Sequence, residues 1–124
     1  MKKPLIMGMG VTGRSISRYL SNQSIHHLVM DSCSSKKINL TSHVDKFLSS
    51  EDVSILKEVS KVFVSPGVDS NNIFLNETIK REIPISTDLD LYLSQTKSKP
   101  ILITGTNGKT SVTRMTEFLL SKFY

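Results

Sequence analysis

The sequence predicts an α/β fold: a parallel sheet of about five strands flanked by helices, followed by the opening strand–loop–helix unit of a second domain. Two observations lead there. Short apolar runs alternate repeatedly with helix-length amphipathic segments, the signature of βα units around a parallel sheet. Glycine-containing turns stand directly between an apolar run and the amphipathic segment after it, first at residues 8–13 and again at 105–108. The 124 residues lie within the size range of one ordinary domain with a real core.

Residues 5–9 read as the first strand, and 12–21 as a helix with Ile16 and Leu20 one turn apart on a common face. Residues 28–30 are a short second strand closed by Asp31, and the polar, turn-rich stretch 32–42 is a loop. Residues 47–48 are the candidate third strand. The stretch 51–59 reads as a helix, with Val53, Leu56 and Val59 three apart and acidic residues at its start, where they suit the helix dipole. Residues 62–64 form a strand stopped by Ser65-Pro66-Gly67. A helix follows at 72–82, then a strand at 83–86 that Pro84 confines to a short stretch or to the sheet edge, because proline cannot donate to the ladder. Asp88–Gln95 is helical, with Asp88 and Asp90 explained by capping and the helix dipole. The polar, proline-terminated stretch 96–100 is the linker between a domain at 1–95 and a second unit at 96–124. In that unit, 101–104 reads as a strand and 109–123 as a helix with Val112, Met115, Leu119 and Phe123 on one face.

Bulk properties exclude several classes. No stretch approaches the ~20 consecutive apolar residues that span a bilayer. The N-terminal apolar run is interrupted by Gly8 and Gly10, unlike that of a signal peptide. A single cysteine, Cys33, leaves no internal disulfide framework and fits a reducing cytoplasm. The formal charge of +5 is unevenly spread: residues 1–95 hold 11 Lys and Arg against 10 Asp and Glu, and residues 96–124 hold 5 against 1. The basic excess thus surrounds the second glycine loop, where a positive field suits phosphates. No basic stripe with interleaved aromatics marks a nucleic-acid surface. His26, His27 and His43 lack ligand-like spacing with Cys33 or with paired carboxylates, so no zinc site is expected.

The first glycine turn, Gly8-Met9-Gly10-Val11-Thr12-Gly13, matches GxGxxG and lies between a strand and a helix, which makes the domain Rossmann-like. Glycines permit a tight turn and close approach of a ligand, and the N–H groups of a helix N-terminus face an anion. The glycines of this turn, Gly10 among them, are therefore candidates for close approach of a ligand. Asp31 closes the second strand 18 residues beyond Gly13, where a carboxylate can hydrogen-bond a ribose. The pattern does not separate a dinucleotide from a sugar nucleotide. Ser65, Pro66 and Gly67 end another strand and so share a rim with this turn, because open α/β sheets bind ligands at the carboxyl ends of their strands.

The second loop, Gly105-Thr106-Asn107-Gly108-Lys109-Thr110, follows a strand-like run and opens an amphipathic segment. Its backbone N–H groups can cradle phosphate oxygens, Lys109 can set a point charge against the β- and γ-phosphates, and the Thr110 hydroxyl can bind Mg²⁺. The common GxxxxGK[ST] pattern requires glycine where this chain has Ile103, so the loop is a shortened variant. ATP with Mg²⁺ is the cofactor that it predicts.

Taken in order, GMGVTGRS after the first strand, SPGV after a middle strand and ITGTNGKTS opening a second unit resemble the Mur ligases of peptidoglycan synthesis, and among them the branch that adds D-glutamate. The resemblance covers the whole chain. It implies that domain 1–95 binds the UDP part of UDP-N-acetylmuramoyl-L-alanine and that the domain begun at 96–124 binds ATP. ATP would phosphorylate the substrate carboxylate, and D-glutamate would attack the acyl phosphate to give an amide, ADP and phosphate. By matching position, the resemblance places Val11 and Thr12 at the uridine, with Asp31 and Ser32 beside it. Ser65, Pro66 and Gly67 fall at the uracil or diphosphate, and Gly108, Lys109, Thr110 and Ser111 at the ATP phosphates and Mg²⁺. A cytoplasmic protein of cell wall biogenesis is implied, monomeric at full length, without nucleic acid or membrane insertion.

Two features depart from that family. Its members often carry a basic residue after the Asp–hydroxyl pair, where this chain has Cys33, which leaves Lys36 or Lys37 to supply the contact. They also have about three domains, and this chain reaches one helix into the second. The 124 residues are therefore expected not to catalyse ligation alone, and to be a fragment, a truncated gene product or an incomplete record. Two rival expectations stand beside this one: a UDP-sugar-binding module without catalysis, and an NAD-binding Rossmann domain.

Overall fold

The computed structural model of the protein describes residues 1–33, 35 and 40–123. Its strands are β1 (Lys3–Met7), β2 (His27–Met30), β3 (Val44–Leu48), β4 (Val59–Val64) and β5 (Ile85–Ser86). Its helices are α1 (Val11–Asn22), α2 (Ile73–Lys80), α3 (Asp88–Gln95) and α4 (Lys109–Leu120), with a 3₁₀ helix at Val53–Glu58. The strands form one sheet in the order β3-β2-β1-β4-β5, and every neighbouring pair is parallel. The chain winds outward from β1 to β3, then crosses back to β4 beside β1, so the strand order reverses there.

Alternation along the buried strands builds a core on each face. Leu5, Met7, Leu28, Met30 and Val62 pack on one face with Ile55 and Leu56 of the 3₁₀ helix and Phe74 and Leu75 of α2. Ile6, Val29 and Phe63 point to the other, against Met9 and the α1 residues Ile16 and Leu20. Two helices close with a left-handed residue and a backbone bond across the last turn. After α1 it is Ser24 (φ 55°), with Ile25 N–H donating to the Leu20 carbonyl at 2.8 Å. After α2 it is Glu82 (φ 54°), with Ile83 N–H donating to the Thr78 carbonyl at 3.1 Å. These closures turn the chain back toward β2 and β5.

Several elements differ from their sequence-based expectation. β1 ends at Met7 because Gly8 takes φ +91° and turns the chain out of the sheet. The expected helix at 51–59 is a 3₁₀ helix, whose three-residue turn matches the spacing of Val53, Leu56 and Val59. Asp52 caps it by accepting from Ser54 N–H, a bond that holds the Asp52 carboxyl below its usual range. β3 begins three residues earlier than expected, its exposed Asp45 and Lys46 having masked an edge strand. β5 is two residues long at the sheet edge, as Pro84 required, and α3 starts with a capping box between Thr87 and Asp90. Residues 101–104 are not a strand: the described strands all pair within the one sheet, and none offers this run a ladder. α4 forms but buries none of its residues.

At the end of the sheet opposite the glycine turn, a buried relay ties α1 to β2. The carbonyl of Ile25 can only accept, so His27 Nδ1 carries the proton (2.9 Å) and Nε2 accepts from Ser17 Oγ (2.8 Å). Thr41 Oγ1 then donates to Ser17 (2.9 Å) and accepts from Ser21 Oγ (2.6 Å). With a neutral imidazole every member has a partner, and burial holds the His27 pKa below its ordinary 6.5. The unfolded chain therefore takes up a proton near pH 6.5 that the folded chain refuses, so stability rises with pH in that window. Melting temperature is expected to fall as pH drops below about 6.5, and the slope to flatten in His27→Gln. An unchanged pH slope in that variant would remove His27 from this role.

Candidate functional site

A cleft of about 540 Å³ opens where the strand order reverses, at the carboxyl ends of β1, β2, β3 and β4. Four loops meet in it. The β1–α1 turn contributes Gly8, Gly10, Val11 and Thr12, and the end of β2 contributes Asp31 and Ser32. The segment after β3 adds Ser49, Ser50 and Glu51, and the segment after β4 adds Ser65, Pro66, Gly67, Val68, Asp69 and Asn72. All eight residues expected at the substrate from the sequence (Gly10, Val11, Thr12, Asp31, Ser32, Ser65, Pro66 and Gly67) face this one space.

Long-range hydrogen bonds hold the loops together. Ser65 Oγ donates to the Gly8 carbonyl at 2.8 Å, across 57 residues of chain. Asp31 is buried and bridges two loops, Oδ2 accepting from Met9 N–H (2.6 Å) and Oδ1 from Cys33 N–H (2.8 Å). The ribose contact expected of Asp31 thus competes with a structural task already occupying both oxygens. Val11, by contrast, is 91% exposed, leaving apolar surface at the mouth of the cleft.

The glycines divide by what demands them. A Cβ on Gly13 would stand 1.8 Å from the Gly8 carbonyl oxygen, so the packing of α1 on β1 excludes any side chain. Gly8 needs its positive φ. Gly10 and Gly67 are different: no atom lies within 4 Å of a Cβ built on either, and neither has positive φ. The fold does not require glycine at these two positions, and both border the cleft.

Residues 49–51, 69 and 72 were not singled out from the sequence. Ser49 and Ser50 could have been found, since they follow a strand on the ligand-binding rim. Asn72 caps α2 by accepting from Phe74 N–H (2.8 Å) while its amide donates to Glu51 Oε1, bracing the far wall. Lys36 and Lys37 lie outside the described residues.

The second glycine loop lies apart, and none of residues 105–111 lines the cleft. Gly105 (φ 153°) and Gly108 (φ 76°) are both in the glycine-favouring region, and Gly108 is the N-cap of α4. Lys109 Nζ donates to the Gly105 and Thr106 carbonyls, folding its charge over the loop. Thr106, Asn107, Thr110 and Ser111 are exposed around it.

The fold and cleft define a Rossmann-like α/β domain with its open site at the strand-order switch. A family model described as Mur ligase MurD-like, N-terminal domain, matches residues 2–87. The chain is similar to the UDP-N-acetylmuramoylalanine--D-glutamate ligase of Buchnera aphidicola subsp. Baizongia pistaciae, 31% identical over 130 residues, covering 98% of this chain and 28% of that protein. The ligase of the same name from Chlamydia trachomatis serovar L2 is 30% identical over 125 residues, covering 98% and 30%. That of Lachnoclostridium phytofermentans is 31% identical over 130 residues, covering 99% and 29%. The chain belongs to the MurD-like Mur ligase family. It spans a little under a third of the length of these relatives.

Stability should separate the glycines. Gly13→Ala is expected to cost about 3 kcal/mol or more despite the better helix propensity of alanine, because the clash is with backbone. Gly10→Ala and Gly67→Ala should stay within about 0.5 kcal/mol of the parent in urea unfolding. Comparable losses at all three positions would overturn the division.

Proposed function

We propose that residues 1–95 form the UDP-binding domain of an ATP-dependent ligase that adds D-glutamate to UDP-N-acetylmuramoyl-L-alanine, and that residues 96–124 open its ATP-binding domain. The relatives' names carry the substrate and the reaction. One observation of this chain supports the site most directly: Gly10 and Gly67, which the fold does not need, leave open backbone on two of the loops that line the cleft. Backbone approach by a ligand is what such positions serve.

In this reading Val11 presents its apolar face to the uridine, and the α1 N-terminus and the hydroxyls of Thr12, Ser32 and Ser65 border the ribose and diphosphate. The left-handed glycines of the second loop fit a phosphate cradle, with Gly105, Thr106, Asn107, Gly108 and Ser111 around the ATP phosphates. Lys109 would swing from the Gly105 and Thr106 carbonyls to the transferred phosphoryl group, and Thr110 would hold Mg²⁺, which neutralises charge on the phosphates. A carboxylate oxygen of the substrate takes the γ-phosphoryl group as ADP leaves. The D-glutamate amine then attacks the carboxyl carbon, expelling phosphate and losing a proton as the amide forms. In this reading the protein acts in the cytoplasm and is a monomer at full length.

Calorimetric titration of the chain tests the cleft. UDP-N-acetylmuramoyl-L-alanine is expected to bind and NADH not to; NADH binding with no affinity for the UDP compound would sink the reading. In the protein with its complete ATP-binding domain, Lys109→Ala should weaken binding of Mg·ATP about tenfold or more. Equal affinity in parent and variant would take Lys109 out of the ATP site.

A further inference from the structure

Both oxygens of Asp31 are already engaged, and the other charged side chains that line the cleft among the described residues, Glu51 and Asp69, are acidic; no described Lys, Arg or His lines it. A nucleoside diphosphate adds further negative charge, and gathering like charges in a partly desolvated space is unfavourable unless a cation balances them. The N–H groups at the start of α1 supply only fractional positive charge.

Arg14 is placed to complete the balance. It lies in the first turn of α1, three residues after Val11 and four after Gly10, on the helix face that carries both. Its Nε donates to the Met9 carbonyl at 3.3 Å, between Gly8 and Gly10, which line the cleft. That bond ties the guanidinium to the glycine turn, and no carboxylate pairs with it among the described residues. Neither Nη group has a hydrogen-bond partner among the described residues. Arg18, the next arginine, lies a full helical turn farther from the glycine turn.

We propose that Arg14 is a ligand-binding residue whose Nη groups donate to a phosphate oxygen of the nucleoside diphosphate held in the cleft. This rests on the cleft being a UDP site. A guanidinium suits the task better than an ammonium, because Nε can stay on the Met9 carbonyl while the Nη edge meets a phosphate. Arg14 is exposed, so its removal leaves the core untouched.

The test is titration of the 124-residue chain, and of its R14Q and R14K variants, with uridine and UDP at low salt, alongside melting curves. R14Q should bind UDP about ten- to a hundredfold more weakly, keep its affinity for uridine within about twofold, and melt with the parent. R14K should recover part of the loss. UDP binding by the parent should also weaken more steeply with added NaCl than binding by R14Q. Equal UDP affinity in parent and R14Q overturns the proposal, and equal losses for uridine and UDP move the contact from phosphate to nucleoside and overturn it too. A K36A/K37A variant that loses UDP while R14Q keeps it would assign the balancing charge to that loop instead. A parent chain that binds no UDP overturns the reading of the cleft itself, an outcome separate from the others.

Discussion

The contact on which the rest of the domain depends is the approach of Gly13 to the carbonyl of Gly8, so close that a Cβ would sit 1.8 Å from the oxygen. It lets α1 start almost on top of the end of β1, aiming its N-terminus along the sheet rim. The same carbonyl accepts from Ser65 Oγ, and the neighbouring Met9 N–H donates to Asp31. One turn of six residues is therefore fastened to β4 on one side and β2 on the other. The cleft is the space these fastenings leave at the point where strand order reverses.

That arrangement explains why Asp31 and Ser65 are buried though polar. Each satisfies a backbone group of the glycine turn that the sheet ladder cannot reach, and a turn with unpaired amides at this depth would be penalised. Conserving ligand contacts and conserving turn geometry are thus different demands on neighbouring residues. Gly8, Gly13, Asp31 and Ser65 build the turn, whereas Gly10, Val11 and Gly67 face outward with no structural task visible in their packing. A substitution in the first group acts on folding; one in the second acts on whatever occupies the cleft.

Much of this was legible in the sequence because it is encoded locally. Turn glycines, the proline-limited β5 and the capping acidic residues Asp88 and Asp90 announce themselves within a few residues. The parallel order follows from βα alternation, and Ile16 and Leu20 disclosed the buried face of α1. What was not legible depends on distant partners or on competing periods. Spacing by three fitted an α-helix and a 3₁₀ turn alike at 53–58, and charged residues hid the N-terminal half of β3 at the sheet edge. Nor could spacing reveal that both oxygens of Asp31 are taken by backbone, since Met9 lies 22 residues away in sequence. The far wall at Glu51 and Asn72 is likewise a product of tertiary folding.

The two glycine loops of this chain show the same distinction from the other side. Both put glycines at positive φ before a helix, so each has the local chemistry of an anion cradle. The first is held by Ser65 and Asp31 from two other strands, and its helix buries Ile16 and Leu20. The second is held by its own Lys109, its preceding run pairs with no strand, and α4 leaves Val112, Met115, Phe118 and Leu119 exposed. Helices of this length draw most of their stability from tertiary packing of an apolar face. Among the described residues nothing buries the apolar face of α4, whereas Ile16 and Ile6 pack in one core cluster beside the first loop. A glycine loop becomes a rigid site only when both flanks are buried in this way.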